Sequence, residues 1–149
     1  MFRPMNGTLR SLARGRVASM SRREAVERAE AYMRAHIDTP VPLSMLCRLV
    51  GLSERGLREA FYRVRGMSPK RWSVGVRLQC VRRALTDERT GATTVTDAAA
   101  DYGFYELGRF AAIYRETFGE APSETLRSTN HRTAATSRRT RQCLRQHVS

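Results

Sequence analysis

The sequence predicts an all-α protein: two helix-turn-helix units joined by a central linker helix, about seven helices in all, with flexible basic tails. Three observations predict it. Apolar residues recur every three or four positions through the middle of the chain. Helix caps and stops punctuate that pattern. No segment alternates with period two for long enough to make a strand.

The elements follow in order. Residues 1–20 hold no sustained helical period and read as a loose basic tail. Ser21-Arg22-Arg23-Glu24 is a capping box that opens a helix with the apolar stripe Val26, Ala29, Met33 and Ile37. Thr39-Pro40-Val41-Pro42 stops it. A short apolar helix covers Leu43 to Val50 and closes at Gly51; Ser53 caps the next, which runs to Arg65 and closes at Gly66. Ser68-Pro69 restarts the chain with a capping serine and a proline at the first helical position. This linker helix runs to Asp87 or Glu88, with Trp72, Val76, Val81 and Leu85 facing inward, and Arg89-Thr90-Gly91 breaks it. Thr94 and Asp97 cap a short helix that ends at Gly103, and a longer one runs from Tyr105 to Phe118, closed by Gly119. Pro122 begins a last turn or two, and residues 129–149, rich in Arg, Thr and Ser, read as a second loose tail.

Composition excludes several function classes. At 149 residues and 41% hydrophobic content the chain has material for one packed core or two small ones. No run approaches the roughly 18 apolar residues of a membrane helix, and no secretory h-region precedes residue 20. Three scattered cysteines, Cys47, Cys80 and Cys143, and three scattered histidines give neither a disulfide framework nor metal-ligand spacing. Gly51-Leu52-Ser53-Glu54-Arg55-Gly56 superficially resembles a nucleophile elbow, but the second glycine is one residue too far and no strand precedes it. There is no phosphate loop. The expectation is no catalysis, no cofactor and no metal, in a cytoplasmic protein.

The net charge of +13 points to a polyanionic partner. Its distribution weakens the inference, because residues 1–20 carry +4, residues 129–149 carry +5 and the middle only +4. The ratio of 26 arginines to one lysine also fits a GC-rich genome.

The informative signal is a repeat. Gly51, Leu57, Phe61, Gly66 and Pro69 stand at spacings of 6, 4, 5 and 3; Gly103, Phe110, Tyr114, Gly119 and Pro122 stand at 7, 4, 5 and 3. A small residue, Cys47 or Ala99, lies four before each first glycine. Each element has a steric reason. Two helices that cross closely need a small residue at the crossing, the turn needs a positive φ, and the second helix must offer apolar residues four apart.

From Glu24 to Arg127 the chain resembles the DNA-binding domain of the AraC/XylS family of bacterial transcription regulators. The carriers are Leu52-Ser53-Glu54-Arg55-Gly56-Leu57-Arg58-Glu59-Ala60-Phe61 and Gly66-Met67-Ser68-Pro69-Lys70-Arg71-Trp72 in the first half. In the second half they are Ala98-Ala99-Ala100-Asp101-Tyr102-Gly103-Phe104, then Leu107-Gly108-Arg109-Phe110 through Phe118-Gly119-Glu120-Ala121-Pro122-Ser123. The resemblance implies two recognition helices in successive major grooves on one face of the duplex. A linker of about 18 residues is about 27 Å long, near the roughly 34 Å between successive grooves.

The resemblance also places Arg55, Arg58 and Glu59 at base-contacting positions. Arginine can bond guanine through two atoms and glutamate can accept from cytosine; the bland alternative is that Glu59 pairs with Arg55 or Arg63. On the second recognition helix, Arg109, Leu107 and Gly108 lie at the reading end, with ion pairing to Glu106 or Glu116 as the alternative for Arg109. Ser53, Lys70, Arg71, Arg77 and Arg115 are candidate phosphate contacts.

The reading is a sequence-specific duplex-DNA-binding regulator, with operator or promoter DNA as partner and RNA polymerase as a second one. It is a monomer, or a dimer only through a missing N-terminal domain. A stand-alone regulator and the C-terminal part of a ligand-sensing one both remain open. So do a helical interaction module and a non-specific binder driven by its tails.

Overall fold

The computed structural model describes residues 20–87 and 94–146, with side chains to residue 135. Seven helices follow one another: α1 (Arg22–Ala35), α2 (Leu43–Val50), α3 (Glu54–Arg65), α4 (Pro69–Thr86), α5 (Val95–Asp101), α6 (Leu107–Phe118) and α7 (Pro122–Gln146). No strand occurs among the described residues. The expected all-α architecture is the observed one.

Local chemistry sets the boundaries. The capping box before α1 is complete: the Ser21 backbone N–H donates to the Glu24 carboxylate at 2.7 Å, and the Glu24 N–H donates to the Ser21 hydroxyl at 3.2 Å. Ser53, Ser68 and Thr94 accept in the same way from Gly56, Arg71 and Asp97. Helix α6 starts at Leu107, two residues later than the sequence suggests, and Glu106 before it makes no side-chain cap bond. Ile37 falls beyond the end of α1 and is half-buried. The Arg89-Thr90-Gly91 break and residues 1–19 lie outside the described residues.

Among the described residues, a positive φ occurs only at Gly51, Gly66, Gly103 and Gly119, the four glycines of the repeat. Gly103 is fixed twice over. Its φ is +73°, and a Cβ there would sit 2.6 Å from the Asp38 carbonyl oxygen.

Two cores result. Val26, Ala29, Leu46, Leu57 and Phe61 fill the first, between α1, α2 and α3, and Trp72 closes it from α4. Ala98, Ala99, Phe110 and Tyr114 fill the second, against Leu78, Val81 and Leu85 of α4. One end of α4 therefore belongs to each unit. Because each end is held by burial, the helix works as a rod and not as a tether.

The C-terminal segment corrects an expectation. The helix begun at Pro122 does not stop after a turn or two; α7 spans 25 residues and takes in most of the supposed loose tail at 129–149. Its buried stripe is polar, with Thr125 at 3% and Thr129 at 5% exposure. The Thr129 and Thr133 hydroxyls each donate to the carbonyl four residues back, both at 3.1 Å. Self-satisfied threonines bury at little cost. A search for apolar periodicity passes over such a stripe.

Candidate nucleic-acid interface

Helix α3 is the second helix of the first helix-turn-helix unit. Its inner face, Leu57, Ala60 and Phe61, is fully buried. Its outer face carries Arg55, with a side chain 90% exposed, and Arg58, Glu54 and Glu59, each about half exposed. These charges are organised. The Arg55 guanidinium donates to Glu59 at 3.1 Å, and Arg58 to Glu54 at 3.0 Å, each one helical turn apart. Glu59 also faces Arg22 of α1 at 3.6 Å. The hydrogen bond from Arg55, followed by its charge, holds the Glu59 carboxyl below the usual carboxylate range.

A second pair pins α3 from behind. Arg65 grips the buried Glu30 of α1 with two nitrogens, Nε and Nη2, the latter at 2.8 Å. Its place behind α3 leaves the outer arginines outside the packing. The Ser53 hydroxyl accepts from the Gly56 N–H at 3.1 Å as the cap of α3, and its own O–H, with the backbone N–H groups of that turn, is left to donate to an anion.

Helix α6 presents a different surface. Leu107 is 41% exposed, Gly108 has open space around it, and Tyr105 just before the helix is 74% exposed. Arg109 is exposed and makes no ion pair among the described residues, neither with Glu106 nor with Glu116. Lys70 and Arg71 lie exposed at the start of α4. Arg115 is exposed and faces Glu124 of α7 at 3.9 Å.

Arg77 departs from expectation. It is 7% exposed, its Nη1 donates to the carbonyls of Tyr102 and Gly103 at 3.3 Å each, and its guanidinium lies 4.7 Å over the Phe104 ring. Burial pushes its pKa below the usual arginine value. It holds the turn of the second unit in place and does not reach out to a phosphate. Being charged and mid-helix, it looks in sequence like any exposed arginine.

Two residues beside these surfaces, Arg22 and Tyr105, were not marked by the sequence. Arg22 stands beside α3 only because α1 folds across it, and Tyr105 looks apolar enough to be taken as helix core. No local pattern marks either one.

With this geometry in hand, kinship can be read. A protein-family model described as a helix-turn-helix domain matches residues 46–128. The crystal structure of a probable AraC family transcriptional regulator from Rhodopseudomonas palustris is 45% identical, covers 70% of this chain and 96% of its own, and superposes with a TM-score of 0.66. The chain belongs to the AraC/XylS family. Another AraC/XylS relative, the XylDLEGF operon transcriptional activator 1 of Pseudomonas putida, is 39% identical over 101 residues. This chain covers 30% of that relative's length, and the match takes in 68% of this chain. The DNA-binding domain of AdpA, solved in complex with a target DNA, shares the AraC/XylS fold at 19% identity and a TM-score of 0.65. Among the described residues, no helix is long and apolar enough to cross a membrane, and no group of three or more acidic, His or Cys side chains could hold a metal.

Proposed function

We propose that this chain reads duplex DNA with α3 and α6 in successive major grooves and regulates transcription from the site it occupies. The observation that carries the reading is the duplication itself: two units with matching left-handed glycines and matching buried pairs, each anchored to one end of the 18-residue α4. That rod is about 27 Å long, close to the roughly 34 Å groove repeat. In this reading Arg55, Arg58 and Glu59 contact bases in the first half-site. Arg109 serves the second, with Leu107 against a thymine methyl and Gly108 allowing close approach. Lys70, Arg71 and Arg115, with the backbone N–H groups at Ser53, hold phosphates.

The relative from Pseudomonas putida, named an operon activator, and the AdpA domain bound to target DNA support this reading. It puts the protein in the cytoplasm at the nucleoid, with DNA as first partner and RNA polymerase as second, and gives it no catalytic step. A single chain holds both readers, so a monomer suffices for binding. The test is a hydroxyl-radical footprint on a bound duplex. Two protected patches on one face, one helical turn apart, support the reading; uniform protection along the duplex refutes it.

A further inference from the structure

Glu59 stands where two helices converge. Arg55, one turn before it on α3, donates from Nε to its Oε1 at 3.1 Å. Arg22, at the start of α1, faces its other oxygen, Oε2, with Nη1 at 3.6 Å. One carboxylate thus answers two arginines, one at each oxygen. Both hold its pKa below the usual carboxylate range, Arg55 more strongly than Arg22. The other arginine near the start of α3, Arg58, is engaged by Glu54 at 3.0 Å.

The two arginines are held differently. Arg55 shares a helix with Glu59 and its side chain is almost fully exposed, so this pair is local and opens easily. Arg22 is placed by packing. The capping box of Ser21 and Glu24 fixes the first turn of α1, in which Arg22 is the first residue. Ala25, Val26 and Ala29 bury the inner face of α1 in the first core. The Arg65 Nη2, 2.8 Å from the buried Glu30 carboxylate, then locks α1 against α3. A cation at a helix N-terminus opposes the helix dipole. Glu59 is the counter-charge that offsets this cost, and it comes from the neighbouring helix.

We infer that Arg22 is a positioning residue for base choice: it keeps hold of Oε2 of Glu59 when Arg55 turns to a base, leaving Oε1 to accept from a cytosine amino group. The inference rests on the proposed function and extends it to α1, a helix outside the repeated units. Without Arg22, the departure of Arg55 leaves Glu59 unpaired and free to change rotamer beside the phosphates. Their repulsion then offsets what the cytosine contact contributes. The Arg22 contact is a single charge pair and not a two-pronged fork, so a lysine can replace it.

The test uses the full chain, with competition binding against single-base variants of its selected site. Glu59→Ala locates the base pair that Glu59 reads, as the position where preference for cytosine disappears. Arg22→Gln, at a half-exposed position, should cut discrimination at that same base pair about fivefold or more. It should leave the positions read by Arg55 and Arg58 within about twofold, and Arg22→Lys should restore most of the loss. Without DNA, carbon-detected NMR should show Glu59 titrating at a higher pH in Arg22→Gln than in the unaltered chain. If the unaltered chain shows no base preference anywhere, the proposed function fails and the role of Arg22 falls with it. If the chain does discriminate, four results overturn the role of Arg22 alone. They are no position lost in Glu59→Ala, cytosine preference within about twofold in Arg22→Gln, equal weakening of all duplexes by that variant, or an unchanged Glu59 titration.

Discussion

At the scale of single residues, α3, the helix proposed to read the first half-site, presents arginines already paired with carboxylates. Exposed pairs of this kind contribute little to stability, so they break readily when a base offers a better partner. Arg55→Ala and Arg58→Ala should each weaken the preferred site by roughly 1–3 kcal/mol and relax choice at one position. Lys70→Ala should instead weaken all sequences alike and lower the salt slope by about 1. Competition binding against single-base variants of the site, repeated at several salt concentrations, separates the two behaviours. Glu59 supplies a pH signature. Its pKa is lower in the folded chain than in the unfolded one, chiefly because Arg55 donates to it. The pair's small contribution is therefore complete above the ordinary glutamate value of about 4.3 and disappears as pH falls through the lower, folded value. Carbon-detected NMR should show Glu59 titrating below that value in the native chain and moving up toward it in Arg55→Ala.

At the scale of elements, the turns decide which helices meet. Gly51 and Gly103 hold the same place in the two repeats, yet substitution should separate them. At Gly51 a Cβ meets nothing within 4 Å, so alanine costs only the left-handed strain, about 1–2 kcal/mol. At Gly103 the same strain is joined by collision with the Asp38 carbonyl, so alanine should cost roughly 2 kcal/mol more. Urea unfolding of the two variants measures the difference, and equal losses would contradict the packing described here. These turns were legible in sequence because glycine spacing reports a backbone requirement directly. Caps at Ser21, Ser53, Ser68 and Thr94 were legible for the same reason: a short side chain answers a local N–H. The length of α7 was not, because its buried stripe uses Thr125 and Thr129 where an apolar residue would have drawn notice. Nor was the burial of Arg77, whose partners at Tyr102 and Gly103 are carbonyls 25 and 26 residues away. Contacts across elements leave no periodic trace along the chain.

At the scale of the whole molecule, two small cores share one helix, and that sharing is what turns a repeat into an instrument. Each unit alone would offer one short reading helix. Held at the two ends of α4, they would, in the proposed reading, address one face of a duplex with a fixed spacing, and sequence choice would be the joint demand of both. The chemistry of the two readers is unequal. Helix α3 offers charged donors and acceptors, while α6 offers Arg109 beside Leu107 and Tyr105, so the first half-site should be the more strictly defined. The direct test of this account is selection of random duplexes by the full chain at physiological salt, with the Arg55→Ala, Arg58→Ala double variant alongside. The account predicts two enriched motifs with centres about 10 base pairs apart, the first of them lost in the variant. Retention of DNA with no enriched motif would contradict it, leaving the net charge of +13 as the whole basis of binding.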